Sequence, residues 1–171
     1  RLLQAFGGPA HGIAGLRELL NVPSGPLLCS ALKPMGLSAQ ALGDYCAAFA
    51  RGGVHIINDD HGLANQPDAP FQERLERCQE AVASVNARSG GNSLYFPNVT
   101  AGYSELPKRL DAAKRAGCRG VLINAWVTGL DALRYIRDEF GFAIMAHPAL
   151  TGAYFQPAHG IAPQLVLGDL F

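Results

Sequence analysis

Short apolar runs in this chain repeatedly end on residues that can do chemistry. Lys33 follows residues 26–32, and Asn58, Asp59, Asp60 and His61 follow 54–57. Asn98 follows 94–97, Asn124 follows 121–123, and His147 follows 142–146. A lysine, carboxylates, imidazoles and amides are the groups used for proton transfer, cation binding and hydrogen bonding to oxygen-rich ligands. Side chains alternate along a strand, so Cys29, Ala31 and Lys33 share one face, as do Val54, Ile56, Asn58 and Asp60. Lys33, Asn58 and Asp60 therefore point into one mouth. A lysine beside a carboxylate in a partly dry mouth can titrate low enough to act as acid or base, and the same two residues can equally form a structural ion pair. Asp59 falls on the opposite face and reads as an acceptor for backbone N–H groups. Asn98 and Asn124 suit either substrate oxygens or frayed strand carbonyls. A lone histidine such as His147 is more often a packing residue than a ligand. The direction of His61 is left open, and His11 and His159, each followed by Gly, read as turn residues.

The elements that position these groups follow from the pattern. Ser38 suits an N-cap for a helix with Leu42, Tyr45, Cys46 and Phe49 on one face, ended by Gly52-Gly53. Strand two is read as 54–60. Pro70 opens a helix with a stripe of Phe71, Leu75, Cys78, Val82 and Val85 that ends near Gly90. Ser104 is expected to cap the next, with Leu106, Leu110 and Ala113 inward and Lys108, Arg109, Lys114 and Arg115 on a solvated face. A further helix through Leu130, Leu133, Ile136 and Phe140 ends at Gly141, and Pro163 opens the last. Strict alternation of apolar strands with helices implies parallel strands covered on both faces, with all strand C-termini on one side. No glycine-rich nucleotide motif follows the first strand, which favours an α/β (β/α)8 TIM barrel, incomplete here at about five βα units, over an open doubly wound sheet. Residues 1–24 read as a segment preceding the barrel, and 25–171 as its first five units.

Composition narrows the function class. The 171 residues are 49% hydrophobic and 16% charged, which is globular rather than disordered. Lys plus Arg and Asp plus Glu both number 14, so no global field points to nucleic acid or a membrane surface. Cys29, Cys46, Cys78 and Cys118 lack CxxC spacing and are expected as buried hydrophobes in a reducing, cytoplasmic setting. With no initiator Met, and an apolar pattern cut at Phe171, the chain reads as a piece of a longer protein.

Several of these segments resemble, in order and spacing, the large subunit of RuBisCO. They are 8–13, 28–38 with Lys33-Pro34 and Gly36-Leu37-Ser38, Gly52-Gly53 through Asp59-Asp60, 98–102, Thr128-Gly129 and His147-Pro148-Ala149. Leu122-Ile123-Asn124 and Ile144-Met145-Ala146-His147-Pro148 are more similar to the non-carboxylating RuBisCO-like proteins, among them the diketo-methylthiopentyl-phosphate enolase and sugar-phosphate isomerases and decarboxylases. The resemblance implies that Lys33 is the strand-one lysine that handles protons at the substrate carbons. It also places Asn58 where the carboxylating enzymes carry a carbamylated lysine, with Asp60 and His61 at their metal aspartate and glutamate. His147 matches a strand-five histidine, while Pro148 replaces a phosphate-gripping arginine. The second lysine of the family's Lys-Pro-Lys is absent, because the segment before Gly36 is one residue shorter.

An amide has no nucleophilic amine for CO2, so Asn58 forms no carbamate. A Mg2+ ion, implied by the resemblance, would be weakened or altered, because hard octahedral sites depend on anionic oxygens. The expectation is therefore enolisation-type chemistry on a phosphorylated keto-sugar or sugar acid: isomerisation, tautomerisation or decarboxylation, and not CO2 fixation. Lys33 and His147 are assigned to catalysis, Asn58, Asn98 and Asn124 to substrate, and Asp60 and His61 to the metal. The family implies a homodimer of the full-length protein, and no turnover from these residues alone. A non-catalytic paralogue with a regulatory or stress role, and a Schiff-base aldolase acting through Lys33, are the competing classes.

Overall fold

The computed structural model describes residues 7–169. Helix α1 (Gly12–Leu20) precedes strand β1 (Cys29–Ala31), α2 (Ala39–Arg51), β2 (Ile56–Asn58), α3 (Phe71–Ser89) and β3 (Leu94–Phe96). Then come α4 (Leu106–Arg115), β4 (Gly120–Ile123), α5 (Ala125–Thr128), α6 (Asp131–Tyr135) and β5 (Ala143–Ala146). Strands β1, β2 and β3 pair in parallel in that order, and β4 pairs in parallel with β5. A parallel bridge between Asn98 and Leu122 joins β3 to β4. Neighbouring strands are thus consecutive in sequence, the order of a barrel arc; a doubly wound sheet would reverse direction part-way. Among the described residues no helix is long and apolar enough to cross a membrane.

Local chemistry accounts for the helices. Ser38 Oγ accepts the Ala41 N–H at 3.2 Å and caps α2, whose buried Leu42, Gly43, Cys46 and Ala50 face α3. Gly43 lets the two helices approach closely: a Cβ would lie 3.2 Å from the Arg77 carbonyl oxygen. Helix α3 buries Phe71, Arg74, Leu75, Cys78, Val82 and Val85, and stops at Gly90 in the left-handed region. The expected Ser104 cap is not observed. Glu105 is the N-cap of α4 and makes no side-chain cap bond, and Pro107, which needs no N–H partner, sits in the first turn. Beyond α6 the backbone widens into a π-turn over Ile136–Phe140 before Gly141 ends it.

Strands β1 and β2 are shorter than expected, at three residues each. The two faces of the arc are cleanly sorted. Ile57, Tyr95, Val121, Ile123 and partly buried Ile144 pack against the helices in one core. Ile56, Phe96 and Ala143 point the other way and form a second cluster with Leu20 of α1. Gly120 belongs to this inner series, where the Phe96 ring leaves no room for a Cβ; one would stand 2.2 Å from its nearest atom. Cys29 is exposed, contrary to the expectation of burial, and lies on β1, the strand at the edge of the described arc.

Candidate active site

The inner face carries the site. Continuing the alternation of Ile56 leads to Asn58 and Asp60; that of Phe96 leads to Asn98, of Leu122 to Asn124, and of Ala143 and Met145 to His147. These positions lie at or just beyond the C-terminal ends of four neighbouring strands, and Lys33 lies beyond the end of the fifth. Lys33 Nζ donates to Asp60 Oδ2 in an ion pair between a side chain 63% exposed and one 8% exposed. Asp60 Oδ1 accepts the Gly62 N–H at 2.9 Å and lies 3.4 Å from His61 Nδ1. Burial pushes the Asp60 carboxyl up, but Lys33, the Gly62 N–H and His61 outweigh it and hold the group below the usual aspartate range.

The His61 ring stacks on His147 with centroids 4.3 Å apart and planes 13° from parallel. Ala149 N–H donates to His147 Nδ1 at 3.1 Å, so the neutral ring carries its proton on Nε2. Burial, followed by the positive potential of His61, lowers the His147 pKa against the opposing pull of Asp60. An unfolded chain then binds more protons at His147 than the folded one does. The stability involved is full above about pH 6.5 and falls as pH drops through the folded value. Histidine NMR titration is expected to find His147 protonating below about 6.5; a value above that contradicts this environment.

The three asparagines expected to bind substrate have other partners. Asn58 Nδ2 donates to the Asp59 carbonyl at 2.7 Å, while its Oδ1 accepts from Cys29 Sγ at 3.4 Å. Asn98 is fully enclosed; its Nδ2 reaches the carbonyls of Asp60 and His61, and its Oδ1 accepts the Thr100 N–H. Asn124 Nδ2 also donates to the His61 carbonyl, at 2.9 Å, and its buried Oδ1 has no hydrogen-bond partner. Asn98 and Asn124 thus clamp the turn that bears Asp60 and His61. The Asn98 side chain lies beneath that turn, with both its amide atoms bonded to backbone.

Behind the mouth lies a buried network. Asp59 accepts from Arg74 Nε at 3.1 Å, Tyr95 Oη at 2.7 Å and the Asn98 N–H at 2.8 Å. Its predicted task as a backbone acceptor is therefore observed, with two side chains added. Burial pushes the Asp59 carboxyl up and Arg74 opposes that push, while burial and Asp59 together keep the Tyr95 hydroxyl protonated. Arg74 also donates to the carbonyls of Leu63, Ala64 and Ala69, tying down the loop after His61. Sequence reading missed Arg74 and Tyr95, although an arginine three residues after Phe71, on the apolar stripe of α3, is a readable signal for a buried partner. Arg109, expected in solvent, instead donates to the Thr100 carbonyl at 2.6 Å and lies 5.0 Å over the Phe71 ring.

The donors around Asp60 do not fit a hard divalent cation. Both its carboxylate oxygens are engaged, Asn58 is neutral, and Asp59 faces away into the helix layer. Among the described residues no group of three or more His, Cys, Asp or Glu side chains is arranged to hold an ion.

Residues 12–167 match the catalytic domain of the ribulose bisphosphate carboxylase large chain. The chain belongs to that family. It is 40% identical over 168 residues to ribulose bisphosphate carboxylase-like protein 1 of Rhodopseudomonas palustris, covering 98% of this chain and 44% of the relative. It is 38% identical to a 5-methylthioribulose-1-phosphate isomerase of Rhodospirillum rubrum, over 99% of this chain and 45% of that one. A crystal structure of a Rubisco-like protein from Alicyclobacillus acidocaldarius superposes with a TM-score of 0.89 at 31% identity, over 99% of this chain and 44% of that one. The chain therefore spans less than half the length of these relatives. The family's barrel fold agrees with the sequential parallel arc described above.

Proposed function

We propose that the protein carrying this chain catalyses enolisation-type chemistry on a phosphorylated keto-sugar or sugar acid, without fixing CO2. The observation that carries this reading is the Lys33–Asp60 pair at the strand ends, with the lysine side chain still open to the mouth. Lys33 moves the proton between the carbon next to the substrate carbonyl and its neighbour. The adjacent His147, protonated on Nε2, offers a donor for an oxygen that becomes negative as the enediolate forms. Asn98 and Asn124 fix the turn that carries Asp60 and His61. Asn58 supports the non-carboxylating half of the reading, because its amide nitrogen cannot be carbamylated. The similarity to an isomerase named for a ketose 1-phosphate supports the substrate class.

The test is solvent exchange. Protein expressed from the complete gene is incubated in D2O with 5-methylthioribulose 1-phosphate and with other ketose 1-phosphates. Deuterium is expected at the carbon beside the carbonyl of at least one of them, and no labelled CO2 should be incorporated into ribulose bisphosphate. Absence of exchange across the panel, or measurable carboxylation, overturns the proposal.

A further inference from the structure

We infer that the Lys33 ammonium is the built-in cation of this site, pairing with Asp60 in place of a divalent metal. Most of the acceptors that a hard cation would need are already taken, and the one left without a partner, Asn124 Oδ1, is a neutral amide oxygen. Lys33 Nζ holds Asp60 Oδ2, and the Gly62 N–H holds Oδ1. The carbonyl oxygens of Asp60 and His61, the next candidates on the same turn, accept from Asn98 Nδ2, and that of His61 also from Asn124 Nδ2. Asn58 Oδ1 accepts from Cys29 Sγ, and Asp59 is turned away toward Arg74. One carboxylate and one ammonium leave the mouth close to neutral. A dication entering it would have to displace Lys33 from Asp60 and then remain beside that ammonium with a single anion for support. His61 does not supply the missing charge; its Nδ1 faces the same Oδ1, and its ring lies flat on His147.

The arrangement gives Lys33 two tasks. In the resting site its positive charge holds Asp60; once it has passed one proton to the Asp60 carboxylate, its amine takes the carbon-bound proton, which restores the positive charge beside the enediolate oxygen. The catalytic part of this inference rests on the enolisation reading above, whereas the cation-binding part does not.

Mn2+ titration followed by electron paramagnetic resonance separates them, using protein from the complete gene. The parent is expected to leave the signal of free Mn2+ undiminished at equimolar metal. Lys33→Met frees Asp60 and is expected to tighten Mn2+ binding at least tenfold, since one ammonium–dication repulsion at about 6 Å through water already amounts to a factor of about ten. Adding Asn58→Asp to Lys33→Met should tighten it again, and circular dichroism melts check that each variant folds. If the double variant does not fold, the comparison of parent with Lys33→Met decides alone, since that side chain is largely exposed. Stoichiometric Mn2+ binding by the parent that Asp60→Asn abolishes overturns the inference, as does unchanged affinity when Lys33 is removed. Where the parent shows proton exchange, that exchange should survive EDTA. A parent that exchanges no proton with any ketose phosphate defeats the substrate reading and leaves the Mn2+ result to stand by itself.

Discussion

Lys33→Met is expected to lower kcat for proton exchange by about 10²- to 10⁴-fold, the range contributed by a positioned acid–base group. Lys33→Arg should be nearly as poor, because a guanidinium keeps the charge and the contact to Asp60 but does not exchange protons in the working range. The fold should tolerate both. The Lys33 side chain is 63% exposed, so its ion pair with Asp60 contributes little to stability, on the order of 1 kcal/mol or less. Steady-state kinetics beside a urea melt check this: loss of kcat with an unchanged midpoint is the expected pair of results. An Arg variant with near-parental kcat would assign Lys33 a purely electrostatic role and remove it as the proton carrier.

Arg74→Met is expected to have the opposite profile, a loss of about 3–5 kcal/mol of stability. Arg74 and Asp59 both have side chains with no exposure, and removing the guanidinium leaves Asp59 with only the Tyr95 hydroxyl and the Asn98 N–H. The carbonyls of Leu63, Ala64 and Ala69 lose their donor in the same step. A loss of that size is a large part of the roughly 5–15 kcal/mol that holds a typical domain together. Removing both charges, in Asp59→Leu with Arg74→Met, should recover part of the loss, because no buried ion is then left unpaired. Denaturant unfolding of the two variants measures the difference. A single-variant loss below about 1 kcal/mol would mean that the network is not the anchor described.

Much of this architecture was readable from residues alone, and the reasons are specific. Period-two alternation put Lys33, Asn58 and Asp60 on one face and Asp59 on the other, since strand geometry leaves no other choice. Parallel order followed from the regular return of helices such as α2 and α3 between strands. Partners remote in sequence were hidden. Nothing near Asp59 announces Arg74 or Tyr95, which reach it from 15 and 36 residues away. The amide clamp on His61 was equally hidden, because Asn98 and Asn124 were read as isolated strand ends and their shared acceptor is a backbone carbonyl, which has no sequence signature. Cys29 was misread because burial depends on what covers β1, and composition says nothing about that. Ser104 was a reasonable cap by residue type, but the helix began two residues later, at Leu106.

The adjacency of Asp59 and Asp60 has a consequence for how this family can change. Two identical side chains, one bond apart in the chain, do opposite work: one anchors a helix layer in the dark and the other holds a lysine at the mouth. Inserting or deleting a single residue within β2 would exchange them, placing the mouth carboxylate against Arg74 and the anchor in the open. At these strand ends a change of length is therefore costlier than a change of side chain. Length variation is expected in the connecting loops and not within β2.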